Sequence, residues 1–89
     1  MGQIKNEKLL LAIQQVLKEL RSSESLTQDA VIIDIYDNKN ITLNLGRIET
    51  GNRNISPSTI FLLCEYYKIT ISEFFERVEE IDKSLKIKR

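Results

Sequence analysis

The sequence predicts a small all-α domain of five helices, on three observations. Apolar residues recur at the 3.6-residue spacing of an amphipathic helix, capping residues precede these segments, and a Ser-Pro pair marks a further helix start. The 89 residues, 42% of them apolar and 29% charged, suit one soluble domain. We assign residues 1–82 to this domain and residues 83–89, with four basic side chains and no acid, to a frayed tail.

The first helix is predicted over residues 6–21, with Asn6 as its N-cap. Its apolar stripe consists of Leu9, Ile13, Val16, Leu17 and Leu20. A polar break at residues 22–25 follows, after which Thr27 can cap a second helix.

Residues 31–44 allow two interpretations. The segment is rich in β-branched residues, which favours a β-hairpin. The alternating set is Val31, Ile33 and Ile35 before a DNKN turn and Ile41, Leu43 and Leu45 after it. A helical interpretation instead places Val31, Ile32 and Ile35 on one face. A third short helix then begins near Thr42, with Leu45 and Ile48 directed inward.

The last two helices carry clearer start signals. Ser56 and Pro57 open the fourth helix, because proline is tolerated at the first helical position. This helix is predicted to end near Tyr67, and its apolar face is Ile60, Leu63, Cys64 and Tyr67. Thr70 and Glu73 form a capping box for the fifth helix, whose inner face is Ile71, Phe74, Val78 and Ile81.

The composition argues against an enzyme. Cys64 is the only cysteine and histidine is absent, so a disulfide, the usual zinc sites and the commonest general base are all missing. We expect Cys64 to be a core side chain and the protein to use no cofactor, metal or small-molecule substrate. The chain shows no long apolar run and no secretory pattern, so we expect a cytoplasmic protein without a membrane partner.

Charge is informative only when it is considered locally. Thirteen basic residues balance thirteen acidic ones, whereas most nucleic-acid-binding domains carry a basic excess. Residues 39–54 contain Lys39, Arg47 and Arg53 against Glu49 alone. The acidic residues crowd the C-terminal part at Glu73, Glu76, Glu79, Glu80 and Asp82. If the first segment faces DNA, the second must face away.

Two blocks of sequence resemble the Cro/cI-type (Xre) family of helix-turn-helix regulators. The first is VLKELRSSESLTQ, residues 16–28, and the second is GRIETGNRNISPSTIFLLCEYYKITISEFF, residues 46–75. The resemblance implies a five-helix lambda-repressor-like domain and favours the helical interpretation of residues 31–44. The chain departs from the family in a segment between Leu26 and Glu49 that is about three residues longer. It also has Ile32 in place of a small alanine, and Ser25 and Lys68 where glycine commonly ends a helix.

The same resemblance implies which residues contact DNA. The positions that read base edges in the major groove are Thr42, Leu43, Asn44 and Arg47. In this interpretation Arg47 forks to guanine, Asn44 pairs with adenine and Leu43 touches a thymine methyl. The positions that hold phosphates are Thr27 and Gln28 at the start of the second helix and Asn52, Arg53 and Asn54 in the loop. For all of them the alternative is ordinary capping, turn or surface chemistry.

A further pair has a structural role by resemblance. Arg21 on the first helix and Glu49 on the third are expected to form a partly buried ion pair that positions the recognition helix.

We expect a homodimer that reads a palindromic operator in double-stranded DNA, with repression as the expected effect. The candidate interface is the fifth helix with part of the fourth, because several apolar side chains there exceed the needs of one small core. They are Phe61, Leu62, Tyr66, Phe75, Leu85 and Ile87, and completion of the core is the alternative role for each. The rival function is a protein-interaction module, such as an antitoxin-like partner, with the same fold.

Overall fold

The computed structural model describes residues 4–51 and 53–88, and within these ranges it contains five α-helices, one 3-10 turn and no strand. The helices are α1 (Glu7–Ser23), α2 (Gln28–Lys39), α3 (Leu45–Thr50), α4 (Pro57–Tyr67) and α5 (Ile71–Ile81), and the 3-10 turn is Lys83–Leu85. The all-α prediction is confirmed.

The hairpin interpretation of residues 31–44 is wrong. A strand would place Val31, Ile33 and Ile35 on one face, but Val31 and Ile35 are buried whereas Ile33 is 59% exposed. Four-residue spacing of the buried positions is the pattern of a helix, and these residues form most of α2. The gain from burying one face in the core, beside α3, outweighs the strand preference of the β-branched side chains.

Every helix begins at a side chain that accepts a hydrogen bond from the backbone of its first turn. The five N-caps are Asn6, Thr27, Asn44, Ser56 and Thr70. The capping box of α5 is complete, because the Glu73 carboxylate also accepts from the Thr70 backbone N–H at 3.2 Å.

Helix α3 starts later than the sequence predicts. The prediction placed its start near Thr42, but Thr42 and Leu43 lie in the connection of residues 40–44 and the first helical residue is Leu45. Asn40 ends α2 in the left-handed conformation, and the side chain of Asn44 accepts from the Arg47 N–H. These two local interactions set the limits of the connection.

Three helix ends use a non-glycine residue at positive φ. Ser25, Asn40 and Lys68 have φ of 56°, 56° and 59°. At Ser25 and Lys68 the next residue donates back to the helix, Leu26 to the Arg21 carbonyl and Ile69 to the Cys64 carbonyl. This is the hydrogen-bond pattern that glycine usually serves, so both ends carry conformational strain.

The core is built around α1, which packs against α3, α4 and α5. Its fully buried side chains include Val16, Leu17, Leu45, Leu63 and Phe74, and Cys64 is buried among them as predicted. The segment predicted as a frayed tail is partly ordered, since Leu85 packs against this core from the 3-10 turn. Because Leu45 belongs to this core, the rest of the domain holds α3 in place from its inner side.

Candidate nucleic-acid interface

Arg21 and Glu49 join α1 to α3 through a two-pronged ion pair. The Arg21 Nε lies 2.8 Å from Glu49 Oε2 and its Nη2 lies 2.9 Å from Oε1. The remaining Arg21 nitrogen, Nη1, donates to the Leu26 carbonyl at 2.8 Å. The Glu49 side chain is completely buried, and this hydrogen bonding raises the pKa of the Arg21 guanidinium. The predicted pair is present, and it fixes α3 against the end of α1.

A second contact also holds the C-terminal end of α3. The buried side chain of Gln14 on α1 donates to the carbonyl of Gly51. Gly51 itself donates to the Arg47 carbonyl at 2.6 Å and so closes the helix. A Cβ at this position would lie 2.4 Å from the Arg47 carbonyl oxygen, so only glycine fits here. Sequence reasoning missed Gln14, because a glutamine beside an apolar stripe gives no signal of burial.

The outer side of α3 borders a groove of about 340 Å³ that is rich in polar and basic groups. Its lining residues are Asn44, Arg47, Ile48, Arg53, Asn54, Ile55, Ser56 and Thr59. Two are arginines, and among the described residues that line it none is acidic. Neither arginine forms an ion pair or a side-chain hydrogen bond with another described residue. Both guanidinium groups are thus available to an outside partner.

The four predicted base-reading residues have different surroundings. Arg47 and Thr42 are exposed, Arg47 on α3 and Thr42 in the connection before it. Asn44 is also exposed, but its Oδ1 accepts from the Arg47 N–H at 3.3 Å, so its side chain also serves as the N-cap. Leu43 is half-buried and packs against the core, which leaves only part of its side chain for a methyl contact.

Thr27 and Gln28 are already engaged inside the protein. Thr27 Oγ1 accepts from the Ala30 N–H at 3.1 Å, and Gln28 Nε2 donates to Glu49 Oε1 at 3.0 Å. The neighbouring Asp29 adds a negative charge to the first turn of α2. A phosphate contact at this point would therefore have to use backbone N–H groups, because the side-chain donor of Gln28 is occupied.

The loop after α3 is described in part. Asn52 lies outside the described residues, whereas Arg53 and Asn54 are exposed. Asn54 Nδ2 donates to the Ile4 carbonyl at 3.0 Å, which connects the loop to the chain before α1. Of the two described loop residues that were predicted to contact phosphates, Arg53 and Asn54, only the Arg53 side chain makes no hydrogen bond to another described residue.

The acidic residues form a separate surface. A groove on α5 is lined by Glu73, Glu76, Arg77, Glu79 and Glu80, together with Lys86. It shares no residue with the arginine groove beside α3. The net charge of zero is thus the sum of a basic surface beside α3 and a mainly acidic surface on α5. Of these two surfaces, the basic one suits an anionic partner.

The residues proposed for a dimer interface divide into two groups. Phe61 is 50% exposed and Ile87 is 89% exposed, so their apolar surface faces outward. The other four, Leu62, Tyr66, Phe75 and Leu85, are half-buried and pack against the core. Tyr66 in addition donates to Asp34 Oδ2 at 2.7 Å, which links α4 to α2.

Tyr67 has an unusual position beside the ion pair. Its ring is buried and its hydroxyl, also buried, has no hydrogen-bond partner among the described residues. Burial, reinforced by the negative charge of Glu49, raises the pKa of this hydroxyl. The sequence pattern predicted a core position here and gave no sign of the unsatisfied hydroxyl.

No protein-family model, curated protein or solved structure matches this chain. None of the helices in the described ranges is long and apolar enough to cross a bilayer.

Proposed function

We propose that this protein is a sequence-specific DNA-binding transcriptional regulator of the lambda-repressor-like helix-turn-helix type. In this proposal α2 and α3 form the helix-turn-helix, and α3 enters the major groove. The observation that carries the proposal is the pairing of a buried anchor with an outward-facing basic groove on the same six-residue helix. Glu49 fixes the inner side of α3, while Arg47 is exposed on its outer side beside Arg53.

Base reading is assigned chiefly to Arg47, with Asn44 and Thr42 beside it. An arginine fork matches the O6 and N7 acceptors of guanine, and a good bidentate pair contributes about 1–3 kcal/mol of discrimination. Such discrimination requires a rigidly held helix, and the ion pair and the Gln14 contact supply this rigidity at the C-terminal end of α3. Leu43 has a smaller role because it is partly withdrawn into the core.

Affinity is assigned to contacts with the phosphate backbone. Arg53 provides a cation at the edge of the groove, and Ser56 and Thr59 provide hydroxyl groups in the same lining. Asn52 is also proposed to contact a phosphate, and this assignment rests on the sequence alone. These contacts position the protein on the duplex without reading its sequence.

A homodimer is part of the proposal, because one copy of a six-residue recognition helix reads few base pairs. Two copies related by a twofold axis would read half-sites centred about 10 base pairs apart. The exposed Phe61 and Ile87 are the strongest candidates for the interface. Sedimentation at micromolar concentration should give the mass of two chains. One chain per particle, both in the free protein and in its complex with DNA, would exclude the homodimer.

A protein-interaction role is the second candidate. It is favoured by the exposed apolar side chains of Ile33 and Tyr36 on α2, which are 59% and 52% exposed. An antitoxin-like protein would cover such a surface with its partner.

The deciding experiment is selection of binding sites from random double-stranded DNA with the purified protein, followed by affinity measurements at two salt concentrations. Enrichment of a palindrome, with binding that weakens as salt rises, is the expected result. Retention of DNA without enrichment of any sequence would overturn sequence-specific regulation and leave the protein-interaction role.

A further inference from the structure

Gly46 is a half-buried residue of α3 at a position that does not require glycine. Its φ is not positive, and a Cβ built there would meet its nearest neighbour, Gln28 Oε1, at 3.4 Å, which is an ordinary van der Waals distance. The next neighbour, Asn44 Oδ1, lies at 3.9 Å. Gly51 is different, because a Cβ there would collide with backbone. The fold therefore tolerates alanine at position 46, and alanine would favour the helix more than glycine does.

The amide of Gln28 beside Gly46 has a fixed orientation. Its Nε2 lies 3.0 Å from Glu49 Oε1, and the Glu49 carboxylate, paired with Arg21, can only accept hydrogen bonds. The nitrogen of the amide must therefore face Glu49, and the oxygen must occupy the other position, over Gly46. Gln28 Oε1 accepts no hydrogen bond from another described residue.

An oxygen held in this way selects the chemistry of its partner. It repels a phosphate, and it also repels guanine O6 and N7 and thymine O4, which are all acceptors. The hydrogen-bond donors on base edges in the major groove are the exocyclic amino groups of adenine and cytosine. The missing side chain at position 46 leaves room for a base edge to approach.

We propose that Gly46 and Gln28 form a notch that reads an exocyclic amino group, with Gln28 Oε1 as the acceptor. This inference rests on the proposed DNA-binding function and adds a specificity-determining residue to it. It also replaces the phosphate contact expected of the Gln28 side chain. Glu49 then has two tasks, since it anchors α3 and orients the amide that reads the base.

The first test is Gly46→Ala, measured against the site selected by the unchanged protein. The added methyl should raise the thermal stability through helix propensity, yet weaken binding about three- to tenfold by closing the notch. Lys68→Gly is the matched control, because we expect it to stabilise the protein at a helix end outside the interface. It should leave DNA affinity unchanged.

The second test is Gln28→Met, which keeps the length of the side chain and removes the acceptor. Repeated site selection should show loss of the preference for adenine or cytosine at one position of each half-site, with the preferences due to Arg47 retained. In a second set of duplexes that base is replaced by its analogue without the amino group, purine for adenine or pyrimidin-2-one for cytosine. The unchanged protein should bind these duplexes about three- to tenfold more weakly than the natural duplex. Gln28→Met should bind both kinds of duplex equally tightly. These duplexes also tell which of the two bases is read.

The outcomes separate the two proposals. If the unchanged protein selects no DNA site, both fail. Suppose instead that the unchanged protein selects a site, that Gly46→Ala binds this site as tightly as the unchanged protein does, and that Gln28→Met selects the same base at every position. In that case only the notch is overturned. Circular dichroism of each variant confirms folding, and Gly46→Ala keeps the test valid should Gln28→Met fold poorly.

Discussion

The guanidinium of Arg21 holds the carboxylate of Glu49 through two hydrogen bonds, 2.8 and 2.9 Å long, at a point where the Glu49 side chain has no exposed surface. Gln28 adds a third hydrogen bond to the same carboxylate. Three segments of the chain, α1, α2 and α3, therefore meet at one buried charge. The position of the proposed recognition helix depends on this meeting point.

Arg21→Met should destabilise the fold, because it leaves Glu49 as a buried charge without its cation. We expect a loss of about 3–5 kcal/mol in the free energy of unfolding, measured by urea denaturation. The double variant Arg21→Met, Glu49→Leu should recover much of the loss, since no unpaired charge remains. Equal instability of the single and double variants would show that the pair is not the cause.

Gly51→Ala should also destabilise the protein, for a steric reason. The new Cβ would lie 2.4 Å from the Arg47 carbonyl oxygen, so the end of α3 would have to move. A loss of about 1–3 kcal/mol is expected, with a lower melting temperature. Gly46→Ala is the control on the same helix, and a similar loss in both would contradict the assignment of the clash to Gly51.

Lys68→Gly and Ser25→Gly should each stabilise the fold by about 1 kcal/mol. Both residues are in the left-handed conformation, where a side chain causes strain and glycine does not. Asn40→Gly should gain less, because asparagine adopts this conformation more readily. Thermal unfolding of the three variants measures the order, and a loss of stability at Lys68 would refute the strain argument.

Stability should fall as the pH rises from 10 to about 12. Burial and the hydrogen bond to Asp34 raise the pKa of Tyr66 from its ordinary value of 10 to about 12, and burial raises the pKa of Tyr67 as well. Because both folded pKa values are raised, the unfolded chain loses these protons first, and the stabilisation present below pH 10 is lost above it. Urea titrations across this range should show a smaller decline for Tyr67→Phe than for the unchanged protein. An identical decline would mean that Tyr67 ionises normally.

Arg47→Ala and Arg53→Ala should differ in their effect on DNA binding. Loss of Arg47 should relax the sequence preference at one base pair, by about 1–3 kcal/mol against the wrong base. Loss of Arg53 should weaken binding to all sequences and lower the slope of affinity against salt by about one ion. Affinities for matched and mismatched duplexes at several salt concentrations distinguish these results. A salt effect alone for Arg47→Ala would remove it from the reading set.

The sequence by itself determined the helical class, the N-caps of α1, α2, α4 and α5, the limits of α4 and the Arg21–Glu49 pair that the family resemblance implied. These features depend on neighbours three or four residues apart or on side chains that can serve few other purposes, such as Ser56 before Pro57. They are therefore visible in the order of residues.

Only the tertiary structure decided the form of residues 31–44, the start of α3 at Leu45 and the orientation of the Gln28 amide. The β-branched residues of α2 suit a strand when taken alone, and they are helical because Val31 and Ile35 bury one face in the core. Leu43 was expected to contact a thymine methyl but is partly drawn into the core, and the Gln28 amide nitrogen was expected at a phosphate but is bonded to Glu49. The free energies of such contacts between distant segments decide between local alternatives of similar stability, so the sequence pattern leaves these choices open.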